Sequence, residues 1–200
     1  MKIIPFPIRG WTIVNWVALA LTVSFAAIAI VHGFDEAAMR LAIRLTARTS
    51  CLLFVCAFVA SALRRMRLPV TAWLLQNRRY LGVSMAVSHG FHAIAIVGLV
   101  VVTAGGGYQH DWGALLGYGF IIAMTVTSFK TPAAWLGDRG WKILHTVGMY
   151  YLWLAFTYPF VNRLPDSLAI YFPFVSLLVV AFMVRLAAFV IPRKPREKAN

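Results

Sequence analysis

Of the 200 residues, 61% are hydrophobic and 12% charged, and the formal net charge is +13. A water-soluble domain of this length has too little interior to hide so many apolar side chains, so a soluble fold is excluded. A nucleic-acid module is excluded as well, because the Lys and Arg residues lie between apolar runs rather than on a soluble basic face.

The pattern predicts an all-α integral membrane protein, a bundle of six transmembrane helices. Each helix needs about 20 apolar residues to cross the hydrocarbon. The first apolar run, 11–31, is long enough to span and no small-residue cleavage site follows it, so it reads as a helix rather than a cleaved signal. The second, 46–63, carries Cys51 and Cys56, five positions apart, a spacing that suits neither a disulfide within a helix nor a metal pair; both are expected to pack. The third, 80–102, carries His89 and His92. Gly105-Gly106-Gly107 then makes a turn, not a phosphate loop, since no strand precedes it and no Gly-Lys-Ser/Thr follows. Runs 113–129, 141–160 and 168–191 complete the bundle, with His145 in the fifth and Arg185 near the end of the sixth, where it can snorkel. One domain thus covers 1–191, and the basic segment 192–200 forms a tail expected to lie against anionic headgroups.

Basic residues set the orientation. Lys2 and Arg9 precede the first span; Arg64, Arg65, Arg67, Arg78 and Arg79 fill the second connection; Lys130, Arg139 and Lys142 fill the fourth; Arg193, Lys194, Arg196 and Lys198 lie in the tail. The opposite loops hold Arg40, Arg44, Arg48 and Arg163 beside Asp35, Glu36, Asp111 and Asp166. The asymmetry puts both termini in the cytoplasm and the loops near 33–42, 103–112 and 161–167 outside, as in a multi-pass membrane protein.

There is no acidic pair, no Ser-His-Asp arrangement and no HExxH, so hydrolytic and metal-assisted chemistry lack support. Histidine remains. His89, His92 and His145 fall within spans, where ionisable groups are costly, and His32 and His110 fall at the outer boundary. His89 and His92 share a face with Gly82, Met85, Ala86 and Ile96, which leaves room for a flat ligand; His145 begins the stripe Met149, Leu152, Phe156. Imidazoles on apolar faces suit a haem in a membrane. Histidines hydrogen-bonded to neighbouring helices would give the same pattern.

The run Arg78-Arg79-Tyr80-Leu81-Gly82 followed by His92 resembles the RR-x-LG…LH signature of the ferric reductase-like transmembrane family, most closely its MsrQ-type bacterial members. Residues 136–145, Leu-Gly-Asp-Arg-Gly-Trp-Lys-Ile-Leu-His, resemble that family's LG-x-x-W-x-x-LH entry to the fifth helix. Thr127-Ser128 matches the TS that ends its fourth, and residues 44–65 are similar to its second, which ends in a paired Arg. The likeness covers 44–160. It implies a b-type haem protein passing electrons across the membrane, with His92 and His145 at positions the family uses for haem.

The family carries a further histidine thirteen positions after the first in the fifth helix, and here that position is Tyr158. Thirteen residues turn an ideal helix through about 220°, so periodicity alone would not select it. Pro159 follows, and a kink there would re-aim Tyr158 or end the helix. At 1.5 Å per residue His92 lies about 20 Å from the cytoplasmic end, His89 about 15 Å, His145 about 5 Å and Tyr158 about 24 Å. His92 and His145 are therefore not expected to flank one haem, whereas Tyr158 is level with His92, and tyrosinate is a known haem ligand.

The expected function is a haem b electron-transfer subunit taking electrons on the cytoplasmic face and releasing them outward. Its donor would be a separate flavoprotein, a bound flavin such as FMN, or a quinol, with Arg78, Arg79, Arg139 and Lys142 either holding a flavin phosphate or simply setting topology. Its acceptor would be ferric iron or a periplasmic redox partner, which in the MsrQ-type case is a molybdenum-containing methionine sulfoxide reductase. The alternative is a haem-less membrane scaffold or assembly subunit of the same fold. A transporter is weaker, since no acidic residue lies within a span.

Overall fold

The computed structural model describes residues 8–63, 70–105 and 111–190, and within them the secondary structure is helical. His110, the second and third glycines of the 105–107 turn, the basic residues Lys2, Arg64, Arg65 and Arg67, and the tail from 191 lie outside the described residues. Six helices follow one another: α1 (Trp11–His32), α2 (Glu36–Leu63), α3 (Val70–Val102), α4 (Trp112–Val126), α5 (Lys130–Asn162) and α6 (Leu168–Val190).

α1, α2, α3 and α6 are each long and apolar enough to cross a membrane. α4, at 15 residues, spans about 22 Å and is short of the roughly 30 Å hydrocarbon core. The α5 run is diluted by Trp, Tyr, Thr and His. Counted together across their 110° bend, α4 and α5 supply a fifth candidate span. Large apolar side chains cover the outside of the bundle, among them Ile30, Val97, Ile122, Leu154 and Val180. A water-facing monomer does not carry such a continuous apolar exterior, and a bilayer does match it. These are the properties of a multi-pass membrane protein.

Three connections differ from the sequence reading. α2 begins at Glu36 rather than near 46, so Arg40, Arg44 and Arg48 lie on a helix and not in a loop. α3 begins at Val70, which places Arg78 and Arg79 within it, and α5 begins at Lys130, which takes in Arg139 and Lys142. The physical reason is common to all three. Charges interrupt an apolar run without interrupting the hydrogen-bonded helix, which continues into the polar zone at either end of a span. Glu36 and Arg40, paired at 2.7 Å one turn apart, support the early start of α2.

α2 packs along α3 and against α6; α6 meets α5, α5 meets α4, and α4 returns to α3. These five helices form a ring, with α1 outside it against α3 and α2. Phe54 and Phe58 of α2 are fully buried, and Phe54 lies 5.1 Å from Phe156 of α5, ring centre to ring centre. Cys51 is buried and Cys56 partly so, both as free thiols in packing positions, as expected. α5 stays helical through Pro159 and breaks instead at Gly137 (φ 63°, ψ 168°), a conformation that costs little only for glycine.

Candidate functional site

The α2–α3 contact carries a polar seam. Thr46 and Ser50, one turn apart on α2, face Ser88 and His92, one turn apart on α3. Ser50 donates to Ser88 Oγ (2.9 Å), Ser88 Oγ lies 3.3 Å from the Thr46 carbonyl, and Thr46 Oγ1 lies 2.9 Å from His92 Nδ1. The Thr46 hydroxyl has one proton and directs it to the Ala42 carbonyl at 2.7 Å, with Ile43 O also in range at 3.1 Å. With its proton on Ala42 O, the hydroxyl is an acceptor toward His92, and the tautomer of that ring is inferred from this geometry. Nδ1 carries the ring proton, and Nε2 keeps its lone pair.

His92 lines a cavity of about 310 Å³ inside the ring of helices, near the ends where α2, α4 and α6 begin. Every ring helix contributes to its wall: Ala47 from α2, His89 and His92 from α3, Tyr118 from α4, Phe156 from α5 and Tyr171 from α6. The His89 and His92 rings are 5.2 Å apart, and His89 also meets Tyr118 and Phe156 at 5.2 and 5.5 Å. His89 Nδ1 is buried without a hydrogen-bond partner among the described residues. Arg163, which caps the end of α5, lines the same cavity. The remaining wall is apolar apart from these groups, the combination typical of a pre-formed small-molecule site.

His145 belongs to the opposite end of the bundle. Thr127, the residue that ends α4, donates its hydroxyl to Ala123 O (2.6 Å), and its Oγ1 lies 3.1 Å from His145 Nε2. Trp141 stacks on His145 at 4.2 Å and donates to the Thr127 carbonyl. Thr127, Trp141 and His145, from two separate stretches of sequence, thus form one unit. His145 is not among the residues of the His92 cavity, and neither is Tyr158, whose side chain is 70% exposed on the outer face of α5. The helix continues through Pro159, and Ala155, Phe156 and Pro159 are the residues of this part of α5 that line the cavity. Of the four predicted site residues, the structure brings His89 and His92 together and holds His145 and Tyr158 elsewhere. His32 ends α1, outside the ring.

No family model, no curated protein and no solved structure matches the chain. Among the described residues no group of three or more His, Cys, Asp or Glu side chains is placed to hold a metal ion by itself. A metal brought in by an organic ligand needs only one protein nitrogen, so the imidazoles are the relevant donors.

Sequence reasoning missed Thr46, which orients His92, together with Arg163, Tyr118 and Tyr171. Thr46 was legible in principle: Thr46 and Ser50 on one span, and Ser84, Ser88 and His92 on the next, repeat every fourth residue and mark two matching helix faces. Arg185 also departs from expectation. It does not snorkel; its guanidinium stacks on Phe58 (4.5 Å) and Tyr150 (4.9 Å) and donates to the Phe58 carbonyl, because aromatic faces and a carbonyl inside the bundle offer it partners.

Proposed function

We propose that the chain is a b-type haem-binding subunit that carries electrons across the bacterial inner membrane, with six crossings and both termini in the cytoplasm. One observation supports the haem above the rest: His92 Nδ1 lies 2.9 Å from the Thr46 hydroxyl, a contact that assigns the ring proton to Nδ1 when that hydroxyl donates to Ala42 O, and the ring lines a largely apolar cavity. That is the arrangement by which a hydrogen-bonded partner prepares a histidine for iron.

The donor set suits a haem held from one side, while the cavity of about 310 Å³ is smaller than a whole porphyrin, so binding requires the ring helices to move apart. His92 would supply the nitrogen for the iron, His89, Tyr118 and Phe156 would form the surrounding wall, and Arg163 would offer a positive charge to a carboxylate. α5 would offer no nitrogen or oxygen side chain, since it contributes Leu152, Ala155, Phe156, Pro159 and Phe160 to the wall. Haem, when bound, supplies a one-electron carrier inside the hydrocarbon, which no side chain provides. The donor side is the basic end of the bundle, where a reduced flavin such as FMN, a flavoprotein or a quinol would deliver electrons. The acceptor is a periplasmic redox partner or ferric iron. The likeness of the 78–92 and 136–145 motifs to ferric reductase-like, MsrQ-type proteins supports the same reading.

The second reading, a haem-less scaffold of this fold, is favoured by the close packing of Phe156 on His89 and by the outward position of Tyr158. Absorption spectra of the detergent-purified protein, oxidised and reduced, separate the two. The haem reading expects a Soret band that His92→Ala reduces and His32→Ala does not. A colourless preparation from haem-replete cells establishes the scaffold instead.

A further inference from the structure

At the end of the bundle away from the His92 cavity, two arginines reach α2 from opposite flanks. Arg78 comes from α3 and donates its Nε to the Ala57 carbonyl at 3.2 Å; Arg185 comes from α6 and donates to the next carbonyl, that of Phe58, at 2.9 Å. The two guanidinium groups are therefore anchored one residue apart on a third helix. Arg185 is further fixed between the Phe58 and Tyr150 rings, and its Nε lies 3.4 Å from the Tyr150 hydroxyl. Both side chains are half-buried, and neither meets a carboxylate among the described residues.

Two like charges held close together in a membrane protein repel each other and lose hydration. The carbonyls they touch already accept helical hydrogen bonds and carry no net charge. A guanidinium presents five N–H donors, and the contacts above use a minority of them. The geometry points to a binding site for a phosphate-bearing anion between Arg78 and Arg185, at the end of the bundle where α2, α4 and α6 finish. The forked guanidinium matches phosphate oxygens, and basic clefts between transmembrane helices on the cytoplasmic side receive anionic lipid headgroups in this way. The site is separate from the His92 cavity and does not depend on haem.

The source of the phosphate is a phospholipid headgroup or a soluble phosphate, and one experiment distinguishes them. The full chain is reconstituted into nanodiscs of phosphatidylglycerol and phosphatidylcholine in equal amounts, released, and its retained lipid counted by native mass spectrometry. Retention of phosphatidylglycerol over phosphatidylcholine is expected, with a loss of about tenfold in Arg78→Gln and in Arg185→Gln, the equivalent of one charge-assisted contact. Lys130→Gln, which alters an exposed cation at the start of α5, should leave retention unchanged. If inorganic phosphate displaces the lipid from the unmodified chain and the same two variants abolish that displacement, the ligand is a soluble phosphate. Arg78→Gln leaves the Arg185 stack in place, so it remains readable should Arg185→Gln fail to fold. Equal retention of both lipids with no binding of inorganic phosphate, or retention that tracks Lys130 as much as Arg78, overturns the proposal.

Discussion

Thr46→Val tests the link from packing to ligand chemistry at one atom. The variant keeps the β-branched shape and removes the hydroxyl that accepts from His92 Nδ1, at a position with 0% exposure. A buried N–H left without an acceptor costs about 1–3 kcal/mol, so the ring is driven to turn or to move its proton to Nε2. The interhelical bond itself contributes less, about 0.6 kcal/mol on average between membrane helices and up to about 1.7. At about 1.4 kcal/mol per factor of ten, that range lowers the affinity of a ligand on Nε2 by about 3-fold to about 20-fold. Two assays read the effect. Imidazole ¹⁵N shifts of the haem-free protein report the tautomer, and a haem titration followed by the Soret band reports affinity. Thr46→Ser, which restores the acceptor, should recover both. A Thr46→Val protein that retains a single Nδ1–H tautomer and unchanged haem affinity would show that the seam is packing alone and that Thr46 does not prepare His92.

Two further outcomes follow from the placement of named residues. Tyr158→His should leave the spectrum and carbon monoxide binding of a haem-loaded protein unchanged, because position 158 faces away from the cavity; conversion to a low-spin bis-histidine spectrum would show that α5 turns its outer face inward. Phe34→Cys, in the exposed connection between α1 and α2, should react with an impermeant maleimide on intact cells, while Trp135→Cys, exposed near the start of α5, should be protected; the reverse pattern would invert the orientation.

Hydropathy located all six helices because apolar runs of this length have few other uses, and the four long spans coincide with runs read from residues alone. It misplaced their ends. Arg40, Arg44 and Arg48 break the apolar run but not the helix, since arginine is a good helix former and a span can project past the hydrocarbon. The break at Gly137 was likewise hidden, because a glycine's backbone conformation is not written in its neighbours' polarity.

The site was legible to the extent that chemistry repeats with helical period. His89 and His92, three apart, had to share a face, and Leu152 and Phe156 had to face them or the opposite way. What periodicity cannot give is the rotation of one helix against another, and that rotation decides the ligand set. Read along α5, His145 and Tyr158 are separated by about 220°, so at most one of them could face the stripe through Leu152 and Phe156. His145 begins that stripe, yet it lies nearly two turns below Leu152, where Thr127 and Trp141 hold it. Tyr158 has the depth and lacks the direction. The cavity is thereby left with imidazoles from α3 alone, faced by an apolar α5 wall and by the phenols of Tyr118 and Tyr171 from α4 and α6. That asymmetry, rather than the number of histidines, decides which side of the cavity could hold a ligand by nitrogen: α3, where Thr46 lies against His92 and where Arg163 adds a nearby charge.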